Sequence, residues 1–538
     1  MADRYWILGT GTWSSTNTVN WSASSGGVGG ASVPTAADNV FFDANSNVGI
    51  TAFTCTMANT PRVCNNFTAS GLDGVMTLAG TSIGLTVSGS LTFQATNFTR
   101  TYTGTTTFNA TTTGKTVTTN GVAFGGDVTF AGTGGGWTLG GALTTGTSNT
   151  TTLTSGTLDL QSYTLSTGLF SSNNSNTRTI AFGTGSIVLT TTTAASTVLS
   201  MADATNFTFT GTSNITAAMS VTRTFSFGVT AGATNANTLN LNLTSGSSVP
   251  TLTSSAFRQI NFTGSTSNIG VQTLYCHGFT LASGGTYTST TFFIYLGSGT
   301  LTYNGKTILA LNLFNGITTT LADAGINGTT TLTSGTLDLA GFTLTNTTRV
   351  TTAAGTKNIT FNNGTVVISG ASTTAFNNAV PTGFTTTAGT GTGTISMTAA
   401  TAKTFVGGGS TFNCTLNQGG AGALTITGSN TFSNITNTVQ PASVLFTAAT
   451  TSTFTNFNLS GTSGNLITIG SVTAASHTLS KASGTVSSDF LSISRSTATG
   501  GAGWYAGANS TDGGNNSGWV FTAPPAPSAG NGNFLMFF

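Results

Sequence analysis

Apolar and polar residues alternate along much of this chain, and one alternating phrase occurs twice. The string TTTLTSGTLDL runs from Thr150 to Leu160 and again from Thr329 to Leu339, 179 positions later. Side chains of a β-strand point alternately to its two faces. The leucines of both strings are therefore predicted to face a core. The Asp between the last two leucines of each string is predicted to face outward as a scaffold residue, with catalysis as the weaker alternative.

The same offset of 179 continues beyond the phrase. TRTIAFGTGSIVLT (177–190) aligns without a gap with TKNITFNNGTVVIS (356–369). Between these blocks, Tyr163-Thr-Leu165 matches Phe342-Thr-Leu344. Apolar positions are kept while polar positions drift, which is typical of a preserved inward face. Segments 150–190 and 329–369 are therefore predicted to be equivalent coils of one repeating structure.

A shorter motif, Asn–apolar–Thr/Ser, recurs along the chain. Asparagine tolerates left-handed backbone geometry and caps turns. Each motif is therefore predicted to form a corner that enters a strand, with its apolar residue pointing inward. The motifs begin at Asn66, Asn97, Asn206, Asn214, Asn242, Asn261, Asn358, Asn434 and Asn458.

These patterns predict an all-β fold, a parallel β-helix, which is one kind of β-solenoid. A coil of repeating β-structure cannot bury its apolar face alone, and stacking on the next coil closes the core. At roughly 20–25 residues per coil, about twenty coils fit in the chain. No strict hexapeptide period is present, so we expect an irregular right-handed helix.

Tryptophan marks the two ends of the chain. Five of the six Trp lie within the first 21 or last 35 residues. The open edges of a solenoid need caps. We therefore predict an N-terminal β cap over residues 1–50, with two short Trp strands, a Gly/Ser loop and a strand Asn39–Phe42. A shaft follows over residues 51–499, and a C-terminal β cap over residues 500–522.

Residues 523–538 are predicted to be a Pro-rich linker with an apolar tag. An exposed apolar tag needs something to cover it. It either packs on this chain or docks on another subunit. The candidate partner-docking residues are Phe534, Leu535, Met536, Phe537 and Phe538.

Charge narrows the classes of partner. Only 4% of residues are charged, against about 25% in ordinary soluble domains. All eleven acidic residues are Asp. The sequence has no basic stripe of the kind found in nucleic-acid binders, and it has no run of 18 apolar residues that would predict a membrane span. The start MADRYWILGTGTW lacks a Sec signal peptide, so we expect folding in the cytoplasm. The four cysteines are predicted to be buried free thiols, with a Cys55–Cys64 disulfide as the alternative.

The ends and the repeat resemble a known group of proteins. YWILGTGTWSSTNTVNWSASSGG…VPTAADNVFFDA, TLTSGTLDL…TRTIAFGTGSI and WYAGANSTDGGNNSGWVFTAP are similar to Thr/Gly-rich β-helical proteins of bacteriophages and environmental bacteria. This resemblance covers most of the chain. It implies a virion fibre, a capsid-attached appendage or an adhesin.

Motifs for chemistry are sparse. Polysaccharide cleavage usually needs a pair of carboxylates, and the closest acidic pair in sequence is Asp38/Asp43. The segment Asp43–Gly49 weakly resembles a calcium loop but lacks the bidentate Glu, so an Asn-rich turn is favoured. His277 and His477 are isolated from other metal-ligand motifs. We therefore expect no enzyme, no cofactor and no metal.

Together with the duplicated coils and the terminal tag, the resemblance implies a structural, non-enzymatic bacteriophage protein, either a virion fibre or a capsid or tail decoration that contacts the host surface. The expected partners are further copies of the chain, with a trimer favoured, other virion proteins, and a host glycan or receptor. Phe outnumbers Tyr 36 to 8, which fits interior stacking, so receptor contacts would use Asn, Thr and Ser surfaces or the tips. The alternatives are a secreted bacterial surface adhesin and a polysaccharide-degrading tailspike.

Overall fold

The computed structural model describes residues 1–49, 51–194, 196–228, 239–253, 256–266, 268–269, 272–294, 297–314, 316–370 and 372–526. The chain is a parallel β-solenoid of about 20 turns, which confirms the predicted fold class. In the described ranges, the one helical element is a 3-10 turn at Ala44–Ser46. Within those ranges no helix is long and apolar enough to cross a membrane.

The chain divides into two compact units, which are described separately. The first comprises Met1–Thr290 with Tyr295–Gly299, and the second comprises Thr291–Ile294 with Thr300–Phe538. The strands that begin in the first unit are β1 Asp3–Trp6, β2 Gly11–Trp13, β3 Trp21–Ser22, β4 Asn39–Phe42, β5 Ala52–Met57, β6 Arg62–Cys64, β7 Phe67–Ala69, β8 Val75–Ala79, β9 Leu85–Val87, β10 Leu91–Thr92, β11 Phe98–Arg100, β12 Thr106–Phe108, β13 Lys115–Thr118, β14 Val128–Leu139, β15 Leu143–Thr144, β16 Thr150–Asp159, β17 Thr164–Thr167, β18 Leu169–Ser171, β19 Arg178–Ala181, β20 Ser186–Leu189, β21 Ser196–Met201, β22 Phe207–Thr210, β23 Asn214–Ala218, β24 Arg223–Phe227, β25 Asn240–Thr244, β26 Pro250–Thr253, β27 Ala256–Asn261, β28 Gln272–Thr280, β29 Tyr287–Ile294 and β30 Gly299–Thr302.

The strands that begin in the second unit are equally short. They are β31 Thr307–Leu313, β32 Thr318–Leu321, β33 Gly325–Leu332, β34 Gly335–Asp338, β35 Thr343–Thr352, β36 Lys357–Thr360, β37 Thr365–Ile368, β38 Phe376–Asn377, β39 Phe384–Thr387, β40 Gly393–Met397, β41 Lys403–Val406, β42 Thr411–Gln418, β43 Leu424–Thr427, β44 Thr431–Asn437, β45 Ala442–Phe446, β46 Thr451–Asn458, β47 Ile467–Ser471, β48 His477–Ser480, β49 Thr485–Ser487, β50 Leu491–Ile493, β51 Ser496–Thr499, β52 Gly503–Tyr505, β53 Thr511–Asp512 and β54 Trp519–Val520.

In each unit, parallel pairing places the same kind of residue at the same height of successive coils. One inward column of the first unit is Leu165, Ile187, Ile215, Leu241 and Ile260. One inward column of the second unit is Leu344, Val366, Ile395, Leu416, Ile435 and Phe457. All of these side chains are buried. Stacked apolar columns of this kind are the core that a single coil cannot form alone.

The N-terminal strands end the parallel stacking of the first unit. Strand β3 pairs antiparallel with β1, whereas β4 pairs parallel with β1. Trp21 packs on Trp6 and Trp13, with ring centroids 5.0 and 5.2 Å apart. Edge-to-face aromatic packing stabilises such clusters beyond simple burial. The strand predicted at Asn39–Phe42 has those bounds in the structure.

Aromatic packing also closes the last coils of the second unit. Trp504 lies 5.0 Å from Trp519, and its ring also contacts Phe457 at 5.3 Å. Trp519 donates from Nε1 to Ser496 Oγ at 3.0 Å. The indoles thus bury large apolar rings while their N–H groups find acceptors, as buried tryptophan usually requires.

Candidate functional site

The outer faces of both units carry columns of hydroxyl and amide side chains. In the first unit, one half-buried column is Thr86, Thr107, Thr129, Thr152, Ser171, Ser200 and Ser226. In the second unit, one column is Thr343, Thr365, Thr394, Thr415, Asn434 and Asn456. Hydrogen-bonded strands lie about 4.7–4.9 Å apart, so these groups recur at that spacing. The result is a regular, uncharged hydrogen-bonding surface.

Asparagines form ladders within these faces. Asn261 donates to Asn242 Oδ1 at 2.8 Å, and Asn240 donates to Asn214 Oδ1 at 2.9 Å. Asn458 donates to Asn434 Oδ1 at 3.0 Å. An amide offers both donors and an acceptor, so stacked amides can bond from coil to coil.

The prediction that each Asn–apolar–Thr/Ser motif forms a corner is therefore only partly right. Asn97 and Asn206 precede strands with φ of 60° and 53°, as a corner requires. However, five motifs begin inside strands or at a strand's last residue, at Asn242, Asn261, Asn358, Asn434 and Asn458. There the amide bonds to side chains of its own or a neighbouring strand, so no left-handed turn is needed. The apolar residue that follows is buried in all nine motifs, as predicted.

The repeated aspartates act as hydrogen-bond acceptors in turns. Asp159 accepts from the backbone N of Gln161 at 2.9 Å. Asp338 accepts from the backbone N of Ala340 and from Asn362 Nδ2, both at 2.9 Å. Both aspartates face outward, as predicted. These contacts are those of a scaffold residue that caps a turn through its carboxylate.

Five buried cations among the described residues were not anticipated from the sequence. Their hydrogen bonds go to backbone carbonyls and hydroxyls at the coil corners, and each is the first residue of a strand: Arg62, Arg178, Arg223, Lys357 and Lys403. A sequence signal does exist. In TRTI, TKNI and AKTF the basic residue lies two positions before an inward apolar residue. The period of two therefore places it on the same inward face.

Two of these cations illustrate how the corners are held. Arg178 donates to Asn176 O at 2.6 Å, to Thr205 O at 2.8 Å and to Ser172 O at 3.0 Å. Lys403 donates to Ala399 O at 2.9 Å and Gly422 O at 2.7 Å. Burial disfavours the charged ammonium and lowers the pKa of Lys403 to about 8. The cations thus satisfy corner carbonyls that would otherwise lack donors.

The candidate metal ligands are dispersed in the structure. In the described residues there is no group of three or more His, Cys, Asp or Glu that could hold a metal ion. All four cysteines are buried free thiols, so the alternative Cys55–Cys64 disulfide is wrong. Burial raises the pKa of each thiol.

The buried histidine His477 is held by a ring and a hydroxyl. It stacks on Phe446 with ring centroids 4.8 Å apart, and Ser471 Oγ lies 2.9 Å from its Nδ1. Burial lowers the pKa of His477 to about 4, which favours the neutral ring. The contacts are those of a packed core residue.

The calcium-like segment forms a capped turn. Asp43 is the N-cap of the 3-10 turn and accepts from Asn45 N at 2.9 Å. Its other carboxylate oxygen accepts from Ser25 Oγ at 2.6 Å. The Asn-rich turn is therefore the observed structure. A cleft of about 450 Å³ lies beside it, between Asn45, Val48 and Asp73.

A second cleft of interest, which we call the corner pocket, lies in the second unit. Its volume is about 260 Å³, and it spans four successive coil segments. It is lined by Ala388, Gly391, Thr392, Asn413, Cys414, Thr415, Ser433, Asn434 and Asn456. The lining carries three amides and three hydroxyls but no charged side chain.

Two sequence predictions need separate comment. Tyr163 and Phe342, which match in the repeat, are 38% and 37% exposed, so the interpretation of this apolar position as inward is wrong. Each sits just after a turn, before the buried leucine column begins. The apolar tag Phe534–Phe538 lies outside the described residues.

Comparison with known proteins adds no relative: no family model, no curated protein and no solved structure matches the chain.

Proposed function

We propose that this chain is a structural, non-enzymatic shaft protein of a bacteriophage particle, either a fibre or a capsid or tail decoration that contacts the host surface. The carrying observation is the outer surface of the solenoid. Its columns present threonine, serine and asparagine from coil after coil. A neutral, hydrated face of this kind stays in water without strong attraction to charged surfaces.

The use of the chain's ionic groups supports a structural role. Asp159 and Asp338 accept hydrogen bonds from turns, and the buried cations donate to corner carbonyls. General acid–base catalysis instead needs carboxylates free to exchange protons with a substrate. Here the two repeated aspartates and the five buried cations use their charged groups to hold coil corners.

Localisation on native particles tests this function. Antibodies against the purified chain, coupled to gold, should decorate an appendage or the capsid in electron micrographs of purified particles. Negative-stain images of the chain alone should show rods. Gold on cell surfaces but not on particles would favour a bacterial adhesin. A fall in the viscosity of host polysaccharide on adding the chain would favour a tailspike depolymerase, and compact globules would contradict a shaft.

A further inference from the structure

The corner pocket of the second unit is built around an irregularity in the strand ladder. Between Phe412 and Thr415 the pairing of β42 with β44 shifts by one residue, so Asn413 and Cys414 face the single residue Ser433. A β-bulge of this kind re-aims side chains and is frequent beside functional sites. The bulge therefore distinguishes this corner from the regular stacking above and below it.

The bulged residue is fixed in place by the preceding coil. Asn413 donates from Nδ2 to Thr386 O at 2.8 Å, and its backbone N donates to Thr386 Oγ1 at 2.7 Å. Thr386 is itself buried. The Asn413 amide is thus anchored by its nitrogen, and its oxygen, which accepts no hydrogen bond from the described residues, remains as an acceptor at the lining of the pocket.

Other polar groups that line the pocket are not used in hydrogen bonds within the described part of the chain. Asn434 uses its oxygen to accept a hydrogen bond from Asn458, which leaves its NH₂ group available as a donor to a ligand. Among the described residues, the side chains of Ser433 and Asn456 make no hydrogen bond to the chain. Asn456 is exposed and Ser433 is half-buried. The pocket therefore offers amide donors, amide acceptors and a hydroxyl to a ligand.

We propose that the corner pocket binds one sugar unit of a neutral polysaccharide. Hydroxyl groups both donate and accept, and they match a lining of amides and hydroxyls. An ionic ligand would lose hydration here without gaining an opposite charge, and an apolar ligand would strip water from unpaired amides. A volume of about 260 Å³ lies just below the range of about 300–1,000 Å³ for drug-sized ligands, which suits a single ring.

This inference rests on the proposed function, because a shaft that contacts the host surface meets its glycans. It assigns that contact to a defined place on the shaft. Because similar outward columns continue on both sides of the bulge, a polymer chain would find further hydroxyl and amide partners along the coils.

The test is binding of the full chain to immobilised dextran, mannan and galactan, with the polyanion alginate for comparison. The pocket variant combines Ser433→Ala with Asn456→Ala, which removes two ligand-facing groups that make no bond within the described chain. The matched control combines Thr431→Ala with Thr453→Ala, two outward residues of the same strands that pair with each other. Circular dichroism checks that all forms fold alike.

We expect binding to at least one neutral polysaccharide. The pocket variant should bind about tenfold or more weakly, since two hydrogen bonds of about 1 kcal/mol each are lost. The control should stay within about twofold of the original chain. The proposal is overturned by absence of binding to all three neutral polysaccharides, by preference for alginate, or by equal losses in both variants.

Location and binding can fail separately. If gold labelling places the chain on particles but no neutral polysaccharide binds, the pocket assignment falls and the shaft function stands. If the pocket variant loses glycan binding but labelling finds the chain only on bacterial cells, the pocket assignment stands and the virion function falls.

Discussion

Residues 150–190 in the first unit and 329–369 in the second unit, here the first and second copies, begin with the same eleven letters. Their inward positions agree. They are Thr151, Leu153, Gly156, Leu158 and Leu160 in the first copy and Thr330, Leu332, Gly335, Leu337 and Leu339 in the second. Gly156 and Gly335 share a left-handed backbone, with φ of 86° and 99°. At these five positions the identical residues therefore point inward in both copies, and the same glycine turns the backbone.

The neighbours of the two copies differ. Leu158 pairs with Trp137 in the preceding coil, whereas Leu337 pairs with Thr319. Ser155, which pairs with Ala131, is buried, whereas Ser334 is half-buried. The phrase determines which side chains enter the core, while adjacent coils determine how well they are packed.

A buried hydroxyl links coils in both copies with different partners. Thr151 bonds to Thr167 Oγ1 at 3.0 Å. At the equivalent positions, Thr330 bonds to Asn346 Oδ1 at 2.5 Å. The second bond continues through Asn327, whose Nδ2 donates to Thr330 Oγ1 at 2.9 Å and whose Oδ1 accepts from Tyr303 at 2.9 Å. Among the side chains of the described residues, the first bond continues only to the hydroxyl of Thr145, 2.9 Å from Thr167 Oγ1. The equivalent threonine therefore has different buried hydrogen-bond partners in each copy.

The cation position also differs by one substitution. Arg178 of the first copy corresponds to Lys357 of the second, and both are buried. Lys357 donates to Gly355 O at 3.1 Å and Thr382 O at 2.9 Å, fewer carbonyls than Arg178 reaches. More widely, the buried cations of the first unit are arginines and those of the second are lysines, within the described residues. The planar guanidinium serves several acceptors at once.

The largest expected effect comes from cavities in the two copies. We expect Leu158→Ala to lower the free energy of unfolding by about 4 kcal/mol and Leu337→Ala by about 3 kcal/mol. The rigid Trp137 ring beside Leu158 limits collapse around the cavity. Guanidinium denaturation followed by circular dichroism measures both. The outward controls Thr152→Ala and Thr331→Ala should change stability by less than about 0.5 kcal/mol.

A different result would show that the copies are not equivalent in packing. If Leu337→Ala cost no more than its outward control, Leu337 would not lie in a close-packed core. Equal costs for both leucines would show that the Trp137 neighbour does not matter.

Replacing the buried cations should reveal a second difference in stability between the two copies. We expect Arg178→Met to lower the free energy of unfolding by about 3 kcal/mol and Lys357→Met by about 1.5 kcal/mol. Each substitution leaves without a donor the carbonyls that the cation bonded. Lys357 lines a cleft of about 200 Å³, from which water can reach the freed carbonyls. Thermal unfolding measures both. As a control, Lys306→Met changes a half-buried lysine and should be nearly neutral; a larger loss for Lys357→Met than for Arg178→Met would contradict the carbonyl argument.

Much of this fold follows from periodicity alone. Alternation in TLTSGTLDL predicted inward leucines, and Leu158 and Leu337 are buried. The strand Asn39–Phe42 was predicted with its bounds, because a short run of Val and Phe, which favour strands, lies there between polar residues. Period-two patterns are local, so a single sequence is enough to read them.

Other features depend on which coils become neighbours, and local sequence does not contain that information. The motif at Asn434 looks like the motif at Asn97, yet one stacks on another amide and the other turns a corner. The corner pocket arises from a register shift at Asn413 and Cys414 between two coils. Tyr163 and Phe342 matched as an apolar position but sit at an exposed turn.

High pH should affect the lysines of the second unit and leave the arginines of the first unit charged. Burial lowers the pKa of Lys403 to about 8 and also lowers the pKa of Lys357. The unfolded chain keeps these protons up to a pKa of about 10.4. Between pH 8 and 10.4 the unfolded chain therefore binds more protons at Lys403, which contributes a rise of about 1–3 kcal/mol to the free energy of unfolding. The four buried thiols act in the opposite direction over the same range, because their pKa is raised in the fold and is about 8.5 in the unfolded chain.

Calorimetric scans from pH 7.5 to 10, compared between the original chain and Lys403→Met, isolate the lysine contribution because both forms share the thiols. The stability of Lys403→Met should fall more steeply with pH than that of the original chain, whereas Arg178→Met should leave the slope unchanged because arginine does not titrate there. An equal slope in Lys403→Met and the original chain would show that Lys403 holds its proton in the fold over this range.

Removing the buried threonine hydroxyl should lower the free energy of unfolding by a smaller amount, and the loss should differ between the two copies. We expect Thr330→Val to cost about 1.5 kcal/mol, because Asn346 and Asn327 lose a shared partner in the core. Thr151→Val should cost about 0.5 kcal/mol, since Thr167 Oγ1 still donates to Leu169 O at 2.9 Å. Urea denaturation of both variants measures the difference. Equal costs would indicate that the Asn327 network in the second copy is not cooperative.

The smallest expected effect concerns the aspartates that differ least between the copies. Asp159→Ala and Asp338→Ala each remove a carboxylate that caps the following turn, where Gln161 and Ala340 have φ of 57° and 49°. We expect each to cost about 0.5 kcal/mol, because each also removes the acceptor of one side-chain amide, Gln161 beside Asp159 and Asn362 beside Asp338. Amide hydrogen exchange at Gln161 and Ala340 localises the effect. Exchange should quicken at the altered turn while the paired strands keep their protection. Loss of protection throughout the strands of either copy would mean that the aspartate supports the core, and the two copies would then share more than their inward face.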